Sequence, residues 1–174
     1  MDSEISGAVV NDESQLVDIA GRLGGHLLRL GWRVTTAESC TGGGIAYLMT
    51  SVAGSSDWFE EGFVTYANRV KVERLGVPSA VLEQEGAVSQ ATVEAMARGA
   101  LREGRAECAI AVSGIAGPGG GVPGKPVGTV WFAWAIKDQV QSQCYGFAGD
   151  RRAVRLQAMA KGLEGLLARL PDFI

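Results

Sequence analysis

The stretch Val34-Thr35-Thr36-Ala37-Glu38-Ser39-Cys40-Thr41-Gly42-Gly43-Gly44-Ile45 decides how this chain folds. Val34 to Ala37 is β-branched and apolar, which predicts a buried strand over 32–37. Thr41-Gly42-Gly43-Gly44 follows at once as a turn, and Ile45, Leu48, Met49 and Val52 then recur at helical spacing, predicting a helix over about 42–52. A strand-turn-helix junction exposes a hydroxyl at its corner, at the carboxyl end of the sheet, with backbone N–H groups beside it. An acyl-transfer serine requires that arrangement: an accessible nucleophile with donors ready for an oxyanion. The same residues also fit a serine that merely begins a helix. On this stretch alone both readings of Ser39 stand.

Outward from the junction, helices alternate with strands. Leu16, Ile19, Ala20, Leu23, Leu27 and Leu30 mark a helix between Asp12 and Gly31. Gly62-Phe63-Val64-Thr65-Tyr66 reads as a second strand, and Asn68 is placed to cap a short helix that Gly76 closes before Pro78. A short helix over 79–84 follows, then a longer one capped by Ser89 with Val93, Met96, Ala97, Ala100 and Leu101 on one face. Cys108-Ala109-Ile110-Ala111-Val112 is a continuous apolar run, the mark of a strand covered on both sides. Strands over 129–136 and 140–147 flank the polar turn Lys137-Asp138-Gln139 as a hairpin. Asp150 caps a last helix reaching Leu170. The expected fold is α/β, a three-layer α/β/α sandwich with a mixed, largely parallel sheet. Residues 1–11 read as a flexible leader and 12–174 as a single domain.

Composition narrows the chemistry. The 174 residues carry a net charge of -3 with no basic stripe, which disfavours nucleic acid as the main ligand. No long apolar run follows the acidic start, so neither a secretory signal nor a membrane partner is expected. Cys40, Cys108 and Cys144 are widely spaced and form no C-x-x-C pair, which fits reduced thiols in the cytoplasm. His26 is the single histidine and lies inside a helix. A Ser-His-Asp triad and a multi-histidine metal centre therefore both lack their parts. No metal and no organic cofactor is expected. Any hydrolytic base must be lysine, a carboxylate or tyrosine.

Sheets of this kind bind ligands beyond the carboxyl ends of their strands. Four loops gather there in this reading, at 38–44, 66–71, 113–127 and 147–151. They offer Ser39 with its N–H donors, then Tyr66, Asn68 and Lys71, then the exposed amides of Ser113-Gly114-Ile115-Ala116-Gly117-Pro118, and finally Asp150, Arg151 and Arg152. Each has an ordinary explanation. Lys71 fits solvated surface, Asp150 fits a helix cap, and Cys40 is a rival nucleophile or small filler.

Several motifs together carry a family resemblance. Thr35-Thr36-Ala37-Glu38-Ser39-Cys40-Thr41-Gly42-Gly43, Ala53-Gly54-Ser55-Ser56, Gly62-Phe63-Val64-Thr65-Tyr66-Ala67-Asn68, Gly86-Ala87-Val88-Ser89, Ser113 to Pro118 and Lys125-Pro126-Val127-Gly128-Thr129-Val130 resemble the CinA C-terminal family, in its order. The resemblance spans about 15–170 and implies the stand-alone form of a nicotinamide mononucleotide deamidase, without the molybdopterin-binding-like domain of the fused form. It implies a serine amidohydrolase with Ser39 as nucleophile, Lys71 as base, and Tyr66 and Arg151 as further catalytic groups. Thr41, Gly42, Gly54, Asn68, Ser113, Gly114 and Gly117 are the implied substrate-binding positions. The Gly119 to Gly124 loop departs from the pattern in length and charge. The implied partner is a small-molecule substrate, and a homo-oligomer is expected. A non-catalytic module that binds a pyridine nucleotide and serves a competence or DNA-damage response is the alternative. For Lys71 to act as base, its charged form must be destabilised by about 4–5 kcal/mol relative to water.

Overall fold

A computed structural model describes residues 12–172, and the expected leader lies outside the described residues. The chain order is α1 (Glu13–Leu30), β1 (Val34–Glu38), α2 (Gly44–Thr50), a 3-10 turn (Ser55–Asp57), β2 (Phe59–Val64), α3 (Asn68–Leu75), α4 (Ser79–Glu85), α5 (Gln90–Gly104), β3 (Cys108–Gly114), β4 (Thr129–Ile136), β5 (Gln139–Gly146) and α6 (Arg151–Leu167). The five strands form one sheet in the order β2-β1-β3-β4-β5. β2, β1 and β3 are parallel neighbours, and β4 and β5 pair antiparallel. Four strands thus run one way and β4 alone opposes them. The α/β/α sandwich of the sequence reading is the fold observed.

Local chemistry sets the ends of the elements. The Asp12 carboxylate accepts from Ser14 N–H at the start of α1, and Gly31 closes that helix in the left-handed region. The Ser89 and Asp150 side chains cap α5 and α6. Asn68 does not cap α3. It is the first helical residue, and Ala67 holds the cap position without a side-chain bond. β2 begins at Phe59, three residues before the expected Gly62, because it is the half-exposed edge of the sheet and its alternation is diluted by Glu60 and Glu61. α6 ends at Leu167, short of the expected Leu170, which is buried in the turn beyond it.

The two faces are packed differently. α1, α2 and α6 cover one with large side chains, among them Leu23, Ile45, Trp58, Phe132, Trp134 and Leu163. α3 and α5 cover the other over a floor of alanines. The chain leaves β1 on the first face through α2 and leaves β2 on the second through α3. A crevice therefore opens between them at the carboxyl ends of the two strands.

Candidate active site

Ser39 follows the last residue of β1, and its N–H still belongs to the sheet, donating to Val112 O at 3.0 Å. The turn after it is tight. Ser39 O accepts from Gly42 N–H at 3.0 Å, and Gly42 and Gly43 take φ of 61° and 93°, a region L side chains avoid. The buried Glu38 carboxylate fixes the other side of the turn. It accepts from Thr41 Oγ1 at 2.6 Å, Ile45 N at 3.0 Å and Ala46 N at 2.8 Å, satisfying the first orphan donors of α2.

Lys71 comes from α3 and is fully buried. Its Nζ lies 2.8 Å from Thr65 O, 3.0 Å from Tyr66 O and 3.2 Å from Ser39 Oγ. Burial lowers its pKa from the ordinary 10.5 to about 8. At neutral pH roughly a tenth of the molecules then carry the free amine, since one unit is a factor of ten. A neutral amine has two hydrogens and one lone pair. The two carbonyls take the hydrogens, which leaves the lone pair facing Ser39 Oγ–H.

The other loops close around this pair. β3 pairs with β1 so that Glu38 lies beside Val112, which brings the buried Ser113 next to Ser39. Gly114 follows in β3, where a side chain would run into Val130, so packing against β4 accounts for it. Arg151, at the start of α6, donates to Gly117 O at 2.8 Å and to the Tyr66 hydroxyl at 3.3 Å. The Tyr66 ring is exposed at the rim, and it is its carbonyl that meets Lys71. A cavity of about 640 Å³ adjoins the crevice, lined among others by Ala116, Pro118, Val127, Arg151, Arg152 and Arg155.

Four of the expected site residues lie away from the crevice, at its rim or on other partners. Gly54 lies beyond the far end of α2, beside the 3-10 turn whose Trp58 carbonyl meets Val34 at the start of β1. α2 runs away from Ser39, so the chain does not bring Gly54 to the crevice. The buried Thr41 hydroxyl is spent on Glu38 and the Gly42 N–H on Ser39 O. Asn68 is exposed at the start of α3, one turn before Lys71.

Cys40 points into the core of the opposite face, where burial pushes its thiol up to about 12. It stays protonated and is a poor nucleophile. Two residues escaped the sequence reading as site residues. The spacing Glu38-x-x-Thr41 before a short helix was the one local signal for the first. Arg155 had none, because its partners Cys40 and Thr41 lie more than a hundred positions away.

The fold and the crevice define an α/β/α sandwich with a serine-lysine pair at the end of its first strand. The profile of the CinA C-terminal domain matches residues 17–170, and the chain belongs to that family. It is 57% identical over 152 residues to the nicotinamide-nucleotide amidohydrolase PncC of Pseudomonas putida, covering 87% of this chain and 95% of that one. It is 50% identical over 157 residues to the PncC of Escherichia coli K12, covering 88% and 94%. A solved CinA superfamily protein of Escherichia coli superimposes with a TM-score of 0.88 at 37% identity, over 94% of this chain and 96% of its own.

Proposed function

We propose that this chain is an amidohydrolase that deamidates nicotinamide mononucleotide to nicotinate mononucleotide and ammonia through a Ser39 acyl-enzyme. The observation that carries the reading is the buried Lys71 Nζ, 3.2 Å from Ser39 Oγ and desolvated toward neutrality. The relatives named for nicotinamide-nucleotide hydrolysis supply the substrate class.

Neutral Lys71 takes the Ser39 proton as Oγ attacks the carboxamide carbon. The carbonyl oxygen becomes an oxyanion held by backbone N–H groups of the turn after Ser39. The Lys71 ammonium then gives its proton to the carboxamide nitrogen as the C–N bond breaks, releasing ammonia. Water, deprotonated by Lys71, attacks the acyl-enzyme, and the Lys71 ammonium returns the proton to Ser39 Oγ as the acyl bond breaks and the carboxylate leaves. Lysine serves where no histidine is available, and neither metal nor organic cofactor enters the scheme.

Tyr66 stands at the rim with its hydroxyl on Arg151, placed for its ring to cover the pyridinium. The cavity beside Arg151, Arg152 and Arg155 is the place for the 5′-phosphate, with Ser113 and the backbone near Gly117 lining the way. Recycling of pyridine nucleotides in the cytoplasm is the setting we infer, consistent with free thiols at Cys40, Cys108 and Cys144. The exposed Val64 and Tyr66 beside the crevice favour a homo-oligomer.

Purified protein should release ammonia from nicotinamide mononucleotide, and Ser39→Ala should lower turnover at least about 10³-fold without loss of folding. A folded Ser39→Ala protein with near-normal turnover would end the serine mechanism. No ammonia from the unaltered protein would leave only the non-catalytic binding module.

A further inference from the structure

We propose that Glu38 is a positioning residue that holds the Ser39 corner so that Oγ meets Lys71. The proposal rests on the reading of Ser39 as nucleophile. Side chains alternate across a strand, so neighbours in β1 serve opposite faces of the sheet. Val34 lies in the bulky core and Ala37 on the alanine floor. Glu38 accordingly reaches α2 on the first face, and Ser39 reaches Lys71 on the second. The peptide between them is bonded on both sides. Glu38 O accepts from Thr65 N–H at 2.9 Å, and Ser39 N–H donates to Val112 O at 3.0 Å. The sheet thus fixes where Ser39 begins, and the turn that leaves it must be held by something else.

That turn has little rigidity of its own. Gly42, Gly43 and Gly44 leave the backbone more conformations than any other residues would. The helix they enter, α2, has only 7 residues, too few to be stable by itself. Its N-cap is Gly43, which has no side chain to offer the first N–H groups. The fully buried Glu38 carboxylate meets them instead, from the strand before the turn. Its Oε2 accepts from Thr41 Oγ1 at 2.6 Å and from Ile45 N–H at 3.0 Å, and its Oε1 from Ala46 N–H at 2.8 Å. One side chain therefore ties the residue before the nucleophile to the turn and to the first residues of the helix after it. Negative charge at a helix N-terminus strengthens that tie. Because these groups are buried, water cannot replace the bonds if the corner swings, and Ser39 Oγ is kept at its 3.2 Å from Lys71 Nζ.

The test measures kcat and KM for nicotinamide mononucleotide against pH in Glu38→Ala, Glu38→Gln, Thr41→Val, Thr41→Ser and Ser39→Ala. Each kcat is counted per folded molecule, from the amplitude of thermal unfolding. Glu38→Ala is expected to lose about 10²-fold in plateau kcat, with KM within about threefold. Glu38→Gln keeps the shape but turns an –NH2 toward a backbone N–H, so it should lose about tenfold. Thr41→Val removes one of the same bonds from its other end and should lose about fivefold, and Thr41→Ser should recover most of that. This second pair decides the matter even where a Glu38 variant does not fold. The pH midpoint of kcat should stay near 8 throughout, because burial is what lowers the Lys71 amine. A lower melting temperature with kcat per folded molecule unchanged would make Glu38 structural and overturn the proposal. A displaced midpoint with the plateau kept would make it an electrostatic neighbour of Lys71, and a rise in KM alone a substrate-pocket residue; either overturns it too. Ser39→Ala separates the two readings. If it abolishes turnover while Glu38→Ala and Thr41→Val keep kcat, the nucleophile stands and the positioning role falls. If Ser39→Ala stays active, the nucleophile reading falls and the positioning role with it.

Discussion

The two faces of the sheet are built from different materials, and the site draws its buried lysine from only one of them. Under α1, α2 and α6 the core is Leu, Ile, Phe and Trp, with Phe132 and Trp134 stacked at 5.5 Å between ring centroids. Under α5 the rows Ala37-Ala111-Ala133 and Ala109-Ala135 form an almost flat floor. Helices there pack nearly backbone to backbone: a Cβ on Gly99 of α5 would lie 2.1 Å from Leu75 O of α3. Large side chains can repack around a change, whereas contacting backbones cannot. The bulky face supplies most of the apolar burial. The alanine face fixes the height of α3, and with it the place of Lys71.

Lys71 is where that contrast should be broken first. Lys71→Arg should lose turnover nearly as fully as Lys71→Ala, about 10³-fold or more, because a guanidinium stays protonated. In the unaltered enzyme kcat should rise as pH rises through about 8, the value to which burial lowers this amine. The same shift acts on folding. The unfolded chain binds this proton more tightly, so stability should increase with pH between about 8 and 10.5 and carry the full penalty below 8. In Lys71→Met that increment should vanish from denaturant titrations. A rate independent of pH across this window, or substantial activity in Lys71→Arg, would reduce Lys71 to a fixed charge.

Crossing the faces gives the next largest effects. Phe132→Ala removes a fully buried ring that also meets Tyr145 and Phe147 edge-on, and should cost about 3–5 kcal/mol of stability. Its kcat, per folded molecule, should stay within about twofold. Ala111→Val, in the centre of the alanine floor, should cost less, about 1–3 kcal/mol, yet lower kcat by lifting α5 and α3. Calorimetry with active-site-normalised kinetics reads both. Loss of kcat in Phe132→Ala and none in Ala111→Val would reverse the assignment of the two faces.

The same contrast explains what could be read from the chain alone. The β-branched run before three glycines announced the strand-turn-helix junction at Ser39, because strand and turn preferences are local. The apolar run from Cys108 announced a central strand for the same reason. β2 was misplaced because an edge strand is half wet and carries Glu60 and Glu61, so no face is uniformly apolar. Asn68 looked like a cap by residue type, but α3 starts one residue earlier and is anchored by burial of Lys71 and Leu75 instead. Gly54 lay in a motif, and only the direction of α2 shows that it travels to the other end of the sheet. Contacts such as Arg155 with the turn after Ser39 depend on the whole topology, which no periodicity reports.

Arg151 should show the smallest effect, and it tests whether the exposed rim belongs to the site. It is held at both ends, on Gly117 O and on the Tyr66 hydroxyl, so it joins the loop after β2 to the loop after β3. Arg152, its neighbour, takes no part in those bonds although it lines the same cavity. A preorganised cation loses less entropy on meeting an anionic or developing charge than a free one. Arg151→Ala should therefore raise KM or lower kcat by about tenfold, and Arg152→Ala by clearly less. Because Arg151 is exposed, its loss should leave the melting temperature almost unchanged. Steady-state kinetics of the two variants beside each other decides the matter: equal, small changes would place Arg151 on the solvated surface and confine the site to the buried crevice around Ser39 and Lys71.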